Sequence, residues 1–354
     1  MKITEKANSL IKSLMERHPN TKLTIGIYHK GKTSFKLFDT TGEIPYENSL
    51  YEIGSIVKTF TTTLLAKYIH EGKMSLDDSV AKYIPELNDG SYYPTLKQLA
   101  THTAGCSTMP SPIWDEIEWR DIWIGFERIY KKIKKSPKSD YGDYYQRQTN
   151  AIQMDRQRLL QIIKKYKIED KEHPWKYSNV GFALLGLAIG SVAGMPFFEL
   201  LTERFREEFG INLFISNRAF ENLVMGYDMK NREVGNKVIS EGACLISAGE
   251  GVLSTAKDML DFAKMNLDDK EGYLQICHEV YGNKAFLPTL KQGLGWAINV
   301  RENIIGHSGN TWGFASNLAI AKEKETAIVL LANVYSYKEN YPLLNEILVT
   351  NWEE

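Results

Sequence analysis

The chain of 354 residues is short of cysteine: it has three, Cys106, Cys244 and Cys277. They are odd in number and scattered, and none has C-x-x-C spacing. A disulfide framework or a zinc site is not expected, and small buried or half-buried thiols are. No run of about 20 apolar residues exists, so no transmembrane segment is expected. The opening stretch, Met1-Lys2-Ile3-Thr4-Glu5-Lys6-Ala7-Asn8, lacks the apolar core of a secretory signal. The simplest compartment is the cytoplasm; if a signal had been trimmed away, export would be the alternative. Excess charge of one sign is missing too. Forty-three basic side chains face forty-four acidic ones, for a formal net charge of −1. Without a basic excess, no nucleic-acid partner is expected. No repeat and no low-complexity linker occurs. No cofactor or metal motif stands out, so the partner expected is a small-molecule or peptide substrate. No oligomeric state is indicated.

The chain is 43% hydrophobic and 11% aromatic, enough to bury a large core in one big domain or two fused ones. Residues 3–17 read as an amphipathic helix with Ala7, Leu10, Ile11 and Leu14 on one face. Leu23–Tyr28 and Ser34–Phe38 read as strands around a His29-Lys30-Gly31-Lys32 turn. A third short run surrounds Leu50–Ile53. A helix follows from Ser55 to about Glu71, closed by Gly72. Leu96–Thr101 and Asp155–Tyr166 are further helices, and 180–209 is strongly helical. Strands return at Gly295–Val300, Asn317–Ala321 and Ala327–Ala332, before a last helix over about Tyr341–Trp352. Strands at both ends with helices between predict a mixed α+β fold. In it, an antiparallel sheet built from the two chain ends is flanked by helices and carries an inserted, mostly helical domain. The boundaries read as 1–84 with 240–354 for the sheet domain and 85–239 for the helical domain. Within the latter, 108–172 is a divergent insert.

The chemistry begins at Ser55-Ile56-Val57-Lys58. Residues i and i+3 share a helix face, so the serine hydroxyl and the lysine amine can meet. A serine is a weak nucleophile until its proton is taken. A lysine can take it only when neutral, which burial and nearby positive charge favour. The same spacing recurs at Ser9–Lys12, Ser79–Lys82 and Ser254–Lys257. Only Ser55 opens a long apolar helix directly after strand-like segments. Tyr177-Ser178-Asn179 adds a phenol able to shuttle a proton and an amide able to hold a substrate carbonyl; Tyr46-Glu47-Asn48 and Tyr281-Gly282-Asn283 share its pattern. His307-Ser308-Gly309, followed by Asn310, adds a glycine that admits a substrate against an edge strand. The next backbone N–H can face an oxyanion. His70-Glu71-Gly72 shares that pattern but reads as a helix end.

With these three elements in this order, the chain resembles the serine β-lactamase and penicillin-binding-protein group. That group includes class C β-lactamases, D-alanyl-D-alanine carboxypeptidases, D-aminopeptidases and family VIII esterases. Their class A relatives read S-x-x-K, S-D-N and K-T-G instead. The flanks resemble the group as well: Tyr51 to Phe60 around the serine, Glu71 to Val80, Leu99 to Gly105, Tyr177 to Gly186, and Gly251 to Met259. The last match makes the Ser254 spacing structural. Only about 108–172 falls outside the resemblance.

The resemblance implies that Ser55 is acylated and that Lys58 and Tyr177 handle its proton, with the choice of base between them open. It implies that Asn179 hydrogen-bonds Lys58 and the substrate's acyl-side amide. The N–H groups of Ser55 and Asn310 would form the oxyanion hole, and His307, Ser308, Gly309 and Asn310 would line the substrate. The expected activity is a serine hydrolase cleaving an amide or ester, as a peptidase or an esterase. A β-lactamase is the alternative, as is a penicillin- or peptide-binding sensor with little turnover; a scaffold using the insert to bind a partner is a third reading. His307 stands where lactamases carry lysine. A histidine, with a reference pKa of about 6.5, is largely neutral at pH 7. This weakens the attraction for a substrate carboxylate and predicts a pH dependence set by His307. Trp114, Trp119, Trp123, Tyr130, Tyr144, Tyr145 and Trp175 are candidates for an aromatic substrate wall.

Overall fold

The computed structural model describes residues 2–109, 152–228, 230–234, 238–285, 287–334 and 337–349. All the aromatic candidates for the wall except Trp175 lie outside the described residues. The helices that position the site are α1 (Glu5–Arg17), α2 (Val57–His70), α3 (Leu96–Ala100), α4 (Arg156–Tyr166), α5 (Asn179–Ala193), α6 (Phe197–Phe209), α7 (Ala256–Asp268) and α8 (Tyr337–Val349). The strands are β1 (Leu23–His29), β2 (Lys32–Asp39), β3 (Gly42–Ile44), β4 (Tyr51–Glu52), β5 (Phe214–Ile215), β6 (Gly226–Tyr227), β7 (Glu233–Val234) and β8 (Val252–Ser254). They continue with β9 (Lys291–Gln292), β10 (Ala297–Asn299), β11 (Ile304–Asn310), β12 (Ala315–Ala321) and β13 (Thr326–Ala332).

Eight strands form one sheet in the order β3-β2-β1-β13-β12-β11-β10-β9. Every pairing in it is antiparallel. The two chain ends meet at its centre, where β1 pairs with β13 from Leu23↔Ala332 to His29↔Thr326. This is the expected sheet from both termini. β12 and β13 are buried along their whole length. The unbroken apolar run Ala327–Ala332 fits a strand covered on both faces. On one face lie α1 and α8, with Ile11, Leu14, Leu344 and Ile347 packed on Ile25 and Leu330. The other face joins a large cluster in which Ile305, Leu318 and Leu331 share a core with Phe60, Phe182 and Phe262.

α1 starts at Thr4, whose hydroxyl accepts the Ala7 N–H, and it buries Ala7, Ile11, Leu14 and Met15. The strongly helical stretch expected over 180–209 is two helices, α5 and α6, bent by 84°. Gly194 closes α5 from a left-handed φ of 70°, and Pro196 cannot donate to the preceding turn. No single described helix is long and apolar enough to cross a membrane. Cys106, Cys244 and Cys277 are buried and free, as their spacing predicts. Strand β11, which the sequence does not announce, carries Gly306, His307, Ser308, Gly309 and Asn310, none of them a strong strand former. Its conformation comes from pairing with β12, His307 lying opposite Leu318.

Candidate active site

Gly54 has a φ of +52°, open to glycine and strained for most other residues. A β-carbon there would also come within 3.1 Å of the Asn310 amide nitrogen. The Gly54–Ile56 turn leads into α2, so Ser55 stands half-buried at the head of that helix. One turn on, Lys58 is fully buried. Its amine donates to Ser55 Oγ at 3.1 Å and to the Ala248 carbonyl at 2.6 Å. It lies 4.7 Å from the Tyr177 ring centroid and 5.5 Å from that of Phe182. Burial pulls the Lys58 pKa down from 10.5 to about 7, and the charge of Glu250 works weakly against this. That displacement is worth roughly 5 kcal/mol against the ammonium. A neutral amine one hydrogen bond from a serine hydroxyl can accept its proton.

The other serine–lysine spacings are accounted for. Ser9 and Lys12 are both exposed on α1. Ser79 caps Ala81 while Lys82 pairs with Asp78. Ser254 donates to the Asn212 carbonyl and Lys257 pairs with Asp261. Of the tyrosine patterns, the Tyr46 hydroxyl donates to Asn48 and that of Tyr281 to Glu279. Only Ser55, Tyr177 and His307 are brought together on one cavity.

Tyr177 precedes α5, whose N-cap Ser178 accepts the Gly181 N–H. Asn179 opens the helix beside it, but its expected bond to Lys58 is not made. Its amide nitrogen lies 2.9 Å from Met109 Sδ, and its Oδ1 has no hydrogen-bond partner. Asn179 lines the cavity with Ser55, His307 and Asn310. Ser308 bonds sideways, its hydroxyl donating to Asn317 Oδ1 on β12. Gly309 has to be glycine: a β-carbon would stand 2.0 Å from the Ile53 carbonyl oxygen. β11 therefore presses directly on the segment that presents Ser55. β10 pairs only with Ile304–Gly306, so the His307–Asn310 half of β11 has no partner on that side among the described residues.

His307 corrects the expected pH dependence. Desolvation in the cleft and the neighbouring Lys58 push it down to about 3, so it is neutral across the ordinary range. Near pH 7 the titrating group is Lys58. The His307 Nδ1 lies 2.8 Å from the Ser308 carbonyl, which can only accept. The ring proton is therefore on Nδ1, and Nε2 is left as an acceptor.

Three features of the site escape sequence reading. The first is the turn at 244–248, which supplies the carbonyl that holds Lys58. Thr61 donates to the Ser247 carbonyl and Ser247 donates to that of Phe182, tying α2 and α5 across the turn. A β-carbon on Gly186 would meet Ser247 at 2.5 Å, so α5 admits this turn only through a glycine. The second is Gly249, where a β-carbon would stand 2.1 Å from the Gly54 carbonyl oxygen. The third is His102, buried behind Tyr177 with ring centroids 4.6 Å apart. Its Nδ1 accepts the Ser178 N–H at 3.2 Å and its carbonyl accepts that of Lys176. Trp175 is not among the residues lining the cavity; it stands edge-on to His102 and donates to Gln292.

The beta-lactamase family model matches residues 7–346. A beta-lactamase of Pseudomonas fluorescens is 23% identical, over 96% of this chain and 94% of its own length. A class C beta-lactamase structure superposes with a TM-score of 0.73 at 22% identity, covering 97% of this chain and 95% of that one. A beta-lactamase/D-alanine carboxypeptidase from Pseudomonas syringae gives 0.71 at 21% identity, covering 97% of each chain. A match over almost the entire length, on a site assembled around Ser55, Lys58 and Tyr177, places this chain in the beta-lactamase family.

Proposed function

We propose that the protein is a serine hydrolase that forms an acyl-enzyme on Ser55 and cleaves an ester or amide. The observation that carries this reading is the buried Lys58 amine, 3.1 Å from Ser55 Oγ with a pKa near 7. In the first half-reaction the Ser55 proton passes to the Lys58–Tyr177 pair as Oγ bonds the acyl carbon. The Ser55 and Asn310 N–H groups hold the oxyanion, a contribution of about 10²–10³ in rate per donor. The carbon–oxygen or carbon–nitrogen bond then breaks, and the proton goes to the leaving alcohol or amine. Water repeats the sequence and frees the acid. Asn179, which lines the cavity, would contact the acyl side of the substrate.

Neutral His307 favours the ester or peptide branch over efficient β-lactam hydrolysis, because a lactam's carboxylate meets no cation there. The test is labelling by a fluorophosphonate or labelled penicillin, read by intact mass on wild type and Ser55→Ala. A panel of nitrophenyl esters, D-alanyl peptides and lactams follows. A Ser55-dependent adduct with ester or peptide turnover is expected. Wild type that takes no label defeats the reading; a penicillin adduct that persists with no turnover replaces it by a sensor.

A further inference from the structure

The two backbone N–H groups given to the oxyanion come from separate segments. That of Ser55 stands two residues after Ile53, and that of Asn310 one residue after Gly309. A single hydroxyl touches both segments. Ser316 is buried on β12, and its proton is shared between the Ile53 carbonyl at 2.7 Å and the Gly309 carbonyl at 3.2 Å. The contact fits only because Gly309 has no side chain, since a β-carbon there would stand 2.5 Å from Ser316 Oγ. The Ile53 carbonyl also accepts the Ile56 N–H, at 3.4 Å, so the hydroxyl makes the shorter of the two bonds. Ile53 is fully buried, and without that proton its carbonyl is left short of a donor. Ser316 itself has a firm footing. It lies opposite Gly309 on one side and Leu331 on the other, on a strand buried along its whole length. It is not among the residues lining the cavity.

We infer that Ser316 is a positioning residue, whose hydroxyl sets the spacing between the Ser55 and Asn310 N–H groups. The inference rests on the serine-hydrolase reading above. As Ser55 Oγ bonds the acyl carbon, the carbonyl's π electrons move onto its oxygen. Both N–H groups must then converge on that oxygen from fixed positions. One donor belongs to the turn into α2 and the other to β11, and neither segment fixes the other through its own hydrogen-bond ladder. The Ser316 hydroxyl joins them next to the point where they diverge. It passes no proton and meets no substrate. It acts through Ile53 and Gly309, and a shift of about 1 Å in such donors costs about 10² in rate.

The experiment compares Ser316→Thr with Ser316→Val, two side chains of one shape that differ in the hydroxyl. Ser316→Ala against wild type repeats the comparison without an added methyl in the buried strand. Each protein is acylated by the 4-nitrophenyl ester of phenylacetate and by its thionoester, in which sulfur replaces the carbonyl oxygen. Nitrophenol release in the first turnover gives the acylation rate. Sulfur is a poor acceptor on a longer bond, so the thionoester gains little from well-placed donors. Removing the hydroxyl should slow acylation by the ester about 100-fold at saturation, with the half-saturating concentration little changed. The thionoester should slow far less, so the ester-to-thionoester ratio falls. That ratio is taken within each variant and is therefore independent of the fraction folded. A ratio that stays the same when the hydroxyl is removed assigns Ser316 to folding alone and overturns the inference. If fluorophosphonate labels wild-type Ser55 but ester and thionoester acylate it equally, the inference falls and the serine-hydrolase reading stands. If nothing labels Ser55, both fall.

Discussion

His102 and His307 flank Tyr177 and carry their protons on opposite nitrogens. His102 Nδ1 accepts an N–H from Ser178, so its proton is on Nε2. His307 Nδ1 faces the Ser308 carbonyl, so its proton is on Nδ1. Both rings are held neutral, His102 by burial first and then by the neighbouring Lys58. One ring anchors the chain that presents the phenol, and the other offers that side of the cleft a lone pair.

His102 adopts a φ of +62°, strained for a residue with a ring. Such strain persists only where surrounding contacts enforce it, and here they are the bonds to Lys176 and Ser178. His102→Asn keeps both a side-chain acceptor and tolerance of this backbone. It should retain kcat within about tenfold of wild type. His102→Gly keeps only the backbone, and should lower kcat by about 100-fold with KM little changed, the loss expected of a misplaced catalytic group. Rates are taken per fluorophosphonate-titratable site. Equal losses in the two variants would assign His102 to folding alone.

The pH–rate profile should have its acidic limb near 7, since Lys58 accepts a proton only when neutral. His307→Gln should leave that limb in place. His307→Lys sets a second cation beside Lys58 and should move the limb to lower pH. A limb that shifts with the Gln variant would point to the imidazole instead.

Stability should follow the same group. The native Lys58 pKa, about 7, lies below its unfolded value near 10.5. Between these two values the unfolded chain binds one more proton, so stability rises with pH. Below about 7 both states are protonated and the native state bears the full penalty. Relative to Lys58→Met, wild type should gain about 1.4 kcal/mol per pH unit between roughly 7 and 10. Urea melts of the two proteins at pH 7, 8 and 9 measure the slope, and parallel curves would exclude it.

Gly309→Ala forces a β-carbon against the Ile53 carbonyl and 2.5 Å from Ser316 Oγ. Gly31→Ala provides a control: its φ is +84° but nothing stands within 4 Å. The control should lose about 1–2 kcal/mol from backbone strain alone. Gly309→Ala should lose more and should also fail to label, because the collision moves the residues before Ser55. Melting temperature and fluorophosphonate labelling are compared on both.

The parts of the site legible in the sequence are those fixed by local spacing. Ser55 and Lys58 meet because a helix turn brings them together, and Tyr177 is recognisable by its Tyr-Ser-Asn triplet at the head of a strongly helical stretch. The expected sheet from both termini is present because alternating and continuous apolar runs mark its strands. Contacts between distant residues left no local trace. Nothing near Ala248 signals that its carbonyl holds an amine 190 positions earlier. The bond expected between Asn179 and Lys58 is absent: the Lys58 amine turns to Ser55 and the Ala248 carbonyl, and the Asn179 amide nitrogen to Met109, in a segment unlike the group's. Reading His307 by its reference pKa failed for a similar reason, since desolvation and Lys58 become visible only in three dimensions. The break after α5 was readable from Gly194 and Pro196, but the apolar residues on both sides concealed it.

The pairing of β1 with β13 also bears on synthesis. A nascent chain emerging from the ribosome has the helix that carries Lys58 long before the strands that complete the pocket. Ser55 and Lys58 wait for the carbonyl at 248 and for β11 at 304–310, and the central pair closes only once Thr326–Ala332 has been made. Contacts so distant along the chain form late. Until residues 304–332 have been made, Ser55 and Lys58 therefore lack the neighbours that complete the candidate site.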